Sequence, residues 1–191
     1  MDLTQRQTQP IADWLQNRLR LKQPDPSAAD RSAAVLIALT EHQEPELVLI
    51  RRSERLHTNP GHIAFPGGRS EQGDGNLLET ALREAFEEIG LERQYFRYAG
   101  MLPRERTING LTVGAAVGTI PQGLRFRIEK TEVAHLLCIP LARFAPPHAC
   151  VREVHWHKGI PVKAPAYHYH DQKIWGITAS FINKLIETLY H

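Results

Sequence analysis

The segment LLETALREAFEEIG, residues 77–90, constrains this chain more than any other. Its apolar residues recur at helical spacing, and Gly90 stands where a helix commonly ends in a left-handed residue, so a helix is predicted over Leu77–Ile89. At about 100° per residue, Leu78, Leu82, Ala85, Phe86 and Ile89 share one face, which needs an apolar surface to dock on. Glu84 and Glu88 lie one turn apart on another face, flanked by Glu87, with Arg83 on the far side of Glu87. Like charges at this spacing cost roughly 0.2–0.5 kcal/mol per pair, and glutamates late in a helix oppose its macrodipole. Arg83 offsets part of that cost. A hard divalent cation would offset the rest, because carboxylate oxygens suit Mg²⁺. Taken alone, the pattern still reads first as a solvated helix face.

The context upstream changes that balance. FPGG, residues 65–68, ends a strand-like piece, HIAF, and opens a loop that leads into the helix. Paired glycines let backbone approach a ligand closely, and amides exposed in such a turn favour phosphate. A phosphate cradle beside a carboxylate cluster is chemically coherent, since metal ions neutralise phosphate oxygens and acidify bound water.

Around this unit the chain alternates strand and helix patterns. Residues 11–21 suit a short amphipathic helix, and KQPDPSAADRS after it reads as a linker, so residues 1–30 form an appendage and residues 31–191 a single domain. AAVLIAL (33–39) and ELVLIRR (46–52) read as a hairpin, FRYAGML (96–102) and LTVGAAVGTI (111–120) as further strands, and 132–141 as another. Residues 148–157 and 164–176 are expected at the sheet edge, and Ile177–Leu189 as a closing helix. The mixture predicts an α/β or α+β fold with a central mixed β-sheet. The net charge, +2, is too small to point to nucleic acid. Two cysteines make no disulfide framework, and Cys138, in an apolar run, reads as an inert buried thiol. Without a signal-like start or a long apolar span, a cytoplasmic protein with no membrane partner is expected.

Together these residues resemble the Nudix hydrolase family, whose signature closes on Arg-Glu-apolar-x-Glu-Glu-x-Gly-apolar. That half matches at Arg83, Glu84, Ala85, Phe86, Glu87, Glu88, Ile89, Gly90 and Leu91. The first half departs: the sixth residue after Gly68 is Asp74 where the signature has Glu, and the interval to Arg83 is one residue longer. Glu71 or Asp74 would serve the first acidic position. The longer interval is similar to the branch that hydrolyses coenzyme A, which carries a second pattern upstream. Leu49, Arg52, Ser53, Gly61, Phe65, Pro66, Gly67 and Gly68 match it, whereas Ile50 replaces Thr, His57 replaces Arg, and Asn59 stands where His is frequent.

The resemblance implies an α/β/α sandwich, a divalent cation (Mg²⁺ or Mn²⁺), and cleavage of a pyrophosphate in a small nucleotide substrate like coenzyme A, giving 3′,5′-ADP and 4′-phosphopantetheine. It implies that Glu84 and Glu88 ligate metal, that Glu87 ligates a second ion or acts through water, and that Arg83 orients a glutamate. Arg52, Ser53, His57, Gly67 and Gly68 are the implied substrate contacts. A His at position 57 forgoes the fork-like phosphate contact of an Arg. The alternatives are a Nudix hydrolase of ADP-ribose or a dinucleotide, and a nucleotide-binding module without turnover. The N-terminal helix would cover the sheet or contribute to a homodimer. The pairs His155/His157 and His168/His170, with His135 and His148, could form a zinc site, but edge-strand packing is the simpler reading, as it is for Trp156 and Trp175.

Overall fold

The computed structural model describes residues 11–18, 32–157 and 159–190; the linker expected after the N-terminal helix lies outside them. The central element is β1 (Ser32–Glu41), which is apolar and buried on both faces, as a strand covered from two sides must be. β2 (Glu46–Arg52) returns antiparallel from it, with Leu39 opposite Leu47. The two strands then part. β3 (Ile63–Ala64) pairs with β2, while β4 (Gly67–Arg69) pairs with β1, so Phe65–Pro66 crosses the split between them.

On its other edge β1 runs parallel to β6 (Thr112–Pro121), from Ser32 opposite Thr112 to Glu41 opposite Pro121. β5 (Arg97–Arg106) and β7 (Val133–Pro140) complete a seven-stranded mixed sheet, β5 beside β6 and β7 beside β2. β7 lies at the sheet's edge, and Cys138 on it is exposed, contrary to the buried thiol expected from its apolar run. The final strands, β8 (Val151–His157), β9 (Ile160–Tyr169) and β10 (Gln172–Trp175), do not extend this sheet. They form a separate three-stranded antiparallel sheet with β9 in the middle. β9 pairs antiparallel with both neighbours, so that Val151 of β8 and Trp175 of β10 stand opposite the same Ala166.

Alternation along the strands sends side chains to two cores. Ala34, Leu36, Ala38, Val48 and Ile50 face α2 (Leu77–Ile89). Ala33, Ile37, Leu39, Leu47 and Leu49 face the opposite layer, made by α1 (Ile11–Arg18), α3 (Ile177–Tyr190) and residues of the small sheet such as Tyr167 and Ile174. The architecture is the expected α/β/α sandwich. α1 belongs to its core: Ile11 and Leu15 are buried, and Trp14 meets Tyr190 edge to face at 6.2 Å.

The boundaries of α2 follow from its ends. Asn76 accepts the amides of Leu78 and Glu79 at 2.9 and 3.1 Å, capping free N–H groups. Gly90, at φ 68°, ψ 23°, closes the helix and donates to the Phe86 carbonyl at 2.9 Å. The predicted docking face needs one correction. Phe86 is 49% exposed, whereas Leu77 and Ala81 are buried. Measured from Ala85, Phe86 lies about 100° around the helix and falls outside the buried arc, while Glu88, about 60° to the other side, falls inside it.

Candidate active site

Arg83 is the hub of the acidic face. Its Nε donates to Asp74 Oδ1 at 3.1 Å and Nη2 to Asp74 Oδ2 at 3.2 Å, a bidentate grip that fixes the guanidinium plane. Nη1 then reaches Glu84 Oε1 and Glu87 Oε2, both at 3.1 Å, and Nη2 also donates to the Arg69 carbonyl at 2.8 Å. Burial would raise the Asp74 carboxyl, but the Arg83 grip, the Glu71 amide and the Thr80 hydroxyl hold it below its ordinary value. Asp74 in turn raises Arg83, which stays charged. Of the two acidic residues open from the sequence, Asp74 is therefore the anchor of Arg83; Glu71 stands 3.8 Å off and is mostly exposed.

Glu88 is the unusual carboxylate. It is 2% exposed, yet it accepts one amide, Gly67 N–H at 2.9 Å, and faces Arg52 Nη1 at 3.7 Å. Burial pushes it up to about 8, with Glu84 and Glu132 adding like charge against the opposing Gly67 and Arg52. Glu84, 16% exposed at its side chain, is raised for the same first reason, again with Glu132 among the contributors. The glycines set this geometry. A Cβ on Gly68 would overlap the Glu84 carboxylate, and one on Gly67 would overlap the Ala34 carbonyl of β1. Both glycines lie in β4, not in an open loop, and the Gly67 amide is spent on Glu88. They form a carboxylate cradle; the free phosphate cradle expected from FPGG is not what they make.

This donor set fits a hard divalent cation. The buried Glu88 and the partly buried Glu84, one turn apart, are both raised by burial, and a third carboxylate, Glu132, stands close enough to repel both. Hard oxygen donors carrying excess negative charge are what such an ion requires. As the side chains stand, no three of them among the described residues close on one point. Arg83 lies between Glu84 and Glu87, so Glu87 is engaged by the guanidinium, and half of its side chain is exposed.

Beside the glutamates opens a cleft of about 760 Å³, between the split edge of the main sheet and the small sheet. Arg52 and Arg69 line it, and so do His155 and Trp175, which form an aromatic wall. Arg52 Nε is buried with no hydrogen-bond partner in the protein, beside the glutamate that its Nη1 faces. The other upstream residues do not join it. Ser53 is buried, and its hydroxyl accepts the Arg55 amide at 3.3 Å, so it holds the turn after β2. His57 is exposed and does not line the cleft, whereas Thr58 and Asn59 do.

Sequence reasoning missed Glu132 and Arg69, and read Trp175 and His155 as edge packing. Nothing in the local pattern separates Glu132 from Glu129; only the pairing of β7 with β2, with Ser53 N–H donating to the Glu132 carbonyl at 2.8 Å, brings it to the site. Trp175 is a cleft residue, and Trp156, read as packing, is 73% exposed. His168 bonds Glu153 at 2.6 Å.

Comparison with known proteins bears on the family and the fold. The NUDIX domain family model matches residues 30–123. The chain is 36% identical, over 90% of its own length and 89% of the relative's, to a Yersinia enterocolitica protein named "Uncharacterized Nudix hydrolase NudL". A Yersinia pestis protein of the same name is 34% identical over 90% and 91%. Among solved structures, Deinococcus radiodurans DR0079 superposes at TM-score 0.53 with 16% identity, covering 90% of this chain and 91% of that one. A C. elegans Ap4A hydrolase superposes at 0.50 with 17% identity, over 58% and 80%. Residues, fold and relatives converge, and the chain belongs to the Nudix hydrolase family.

Proposed function

We propose that this hydrolase splits the pyrophosphate of coenzyme A or its derivatives, using Mg²⁺ or Mn²⁺, and releases 3′,5′-ADP and 4′-phosphopantetheine. The observation that carries the reading is the placement of Arg52. It belongs to the upstream pattern that resembles the coenzyme A branch, it stands 3.7 Å from Glu88, and it lines the cleft. A substrate phosphate there would meet its partly exposed guanidinium.

Glu84 and Glu88 would hold the cation, with Glu87 contributing to a second ion or acting through water. A bound divalent cation would neutralise pyrophosphate oxygens and lower the pKa of a water. The chain's own residues do the positioning. Arg83, fixed by Asp74, orients Glu84 and Glu87. Gly67 N–H orients Glu88. Glu132, an exposed carboxylate near both buried ones, is the candidate to accept the proton that water loses as its oxygen bonds phosphorus and the bridging oxygen departs with the other phosphate.

The departures at Ile50, His57 and Asn59 keep a second reading in view, hydrolysis of ADP-ribose or a dinucleotide. Ile50 is fully buried and His57 stands outside the cleft, so of the three only Asn59 lines it. Product analysis after incubation with coenzyme A, NADH and ADP-ribose, with Mg²⁺ or Mn²⁺, decides between them. Coenzyme A turnover is expected to exceed the others, and a preference for ADP-ribose would overturn the substrate. Glu88→Gln is expected to lower kcat at least a hundredfold; a rate within about threefold of wild type would remove Glu88 from the metal site.

A further inference from the structure

One wall of the cleft is aromatic. His155 of β8 stacks on Trp175 of β10, ring centroids 4.0 Å apart and planes within 13°. His62 leans on the same indole at 5.1 Å. Burial lowers both imidazoles, helped by Lys173 at His155 and by Arg52 at His62, against weaker opposition from glutamates, so the three rings present neutral π-surface near neutral pH. His155 Nε2 is buried with no hydrogen-bond partner in the protein. Cationic side chains share the same space: Arg52, Arg69, Arg106 and Lys163 all line the cleft. Glu105 is the one carboxylate among the described lining residues, and it is already engaged by Lys184 at 2.7 Å and Ser180 Oγ at 2.6 Å. The field left in the cleft is positive.

We propose that the cleft between the two sheets is the subsite for the nucleoside end of the substrate, with the base held by the Trp175–His155–His62 cluster. Three features select this ligand class. The cleft begins at Arg52, beside the glutamate cluster, so a molecule whose pyrophosphate lies at Glu88 extends its remaining part along it. Its volume, about 760 Å³, lies in the range of sites that enclose nucleotide-sized molecules. Its composition, aromatic rings together with guanidinium and ammonium groups, suits a flat heterocycle on a phosphorylated sugar. A thiol-ended pantetheine arm has no ring to stack and no charge for Arg106 or Lys163 to meet.

The inference rests on the reading of the chain as a hydrolase of a nucleotide pyrophosphate, and its test is separate from coenzyme A turnover. Calorimetric titration of 5′-AMP and ribose 5-phosphate, each with Mg²⁺, compares wild type with Trp175→Ala, Trp175→Phe and His155→Ala. Base stacking predicts that Trp175→Ala weakens 5′-AMP about tenfold, His155→Ala at least threefold, and Trp175→Phe less than threefold, with ribose 5-phosphate unchanged throughout. Should Trp175→Ala fail to fold, His155→Ala with Trp175→Phe carries the test. Unchanged 5′-AMP affinity in a folded variant, or equal loss of ribose 5-phosphate, overturns the subsite. A protein that shows the predicted pattern but leaves coenzyme A intact loses the proposed substrate and keeps the subsite. One that cleaves coenzyme A but keeps wild-type 5′-AMP affinity after Trp175→Ala keeps the substrate and loses the subsite.

Discussion

Glu88 sets the electrostatic problem at the scale of single residues. A carboxylate at 2% exposure with one amide and a guanidinium at 3.7 Å is under-compensated, which is why its proton stays on up to about pH 8. The consequence for stability has a definite sign. Between the ordinary glutamate range and about pH 8, the folded state keeps a proton that the unfolded state has released, so stability falls as pH rises across that window. Glu84, raised for the same reason, adds to the slope in the same direction. In metal-free protein, the thermal midpoint is therefore expected to drop by several degrees between pH 5 and pH 8, and Glu88→Gln is expected to flatten the drop. Thermal scans in chelator at several pH values check both; an unchanged slope in Glu88→Gln would assign it to other groups. Asp74 acts differently, through the guanidinium it grips. Asp74→Ala should cost about tenfold in kcat, as is usual when a supporting partner is removed from a site, while leaving KM within about twofold. Helical spacing made Glu84, Glu87, Glu88 and Arg83 legible as a set. It did not reveal Glu132 or the Asp74 grip, because those contacts depend on how β7 and the loop before α2 return to the helix.

At the scale of elements, the strand–loop–helix unit is legible where local chemistry decides and obscure where tertiary pairing does. α2 runs from Leu77 to Ile89 as its pattern requires, because Asn76 and Gly90 mark its ends chemically. Asn76→Ala leaves the Leu78 and Glu79 amides without their acceptor and should lower stability by about 1 kcal/mol, read as a shift of the denaturant midpoint at constant slope. The three residues of β4 are too few for any periodicity, and two of them are glycine, so FPGG reads as a loop until β1 is placed beside it. That pairing converts the motif's meaning: the Gly67 amide orients a glutamate, the missing Cβ of Gly68 leaves room for Glu84 of α2, and that of Gly67 lets β4 close on β1. The small sheet was misplaced for a related reason. Strand patterns report that a segment is extended, and they do not report which edge it finds.

The whole molecule separates chemistry from support across the central sheet. α2 and its glutamates pack on one face, over Ala34, Leu36 and Val48. α1, α3 and the small sheet pack on the other, over Ile37, Leu39 and Leu47. This division gives the N-terminal helix a testable role. Composition makes residues 1–30 look like an appendage, because the Pro-rich segment after the helix resembles a linker. Leu15 nevertheless lies fully buried in the same core as Phe181 and Leu185 of α3, and Asp13 pairs with Arg97 of β5 at 3.3 Å. A helix holding a fully buried leucine in the main core is part of the folding unit, and truncating that leucine leaves a cavity that the rigid sheet beside it does not fill. Leu15→Ala is therefore expected to cost on the order of 2–5 kcal/mol, measured by denaturant unfolding. Because the glutamate cluster stands on the opposite face, kcat per folded molecule should stay within about twofold of wild type. A loss below about 0.5 kcal/mol would make α1 a loosely attached element. A fall in kcat with stability retained would mean that α1 communicates with the glutamates through the sheet, which the two separate cores argue against.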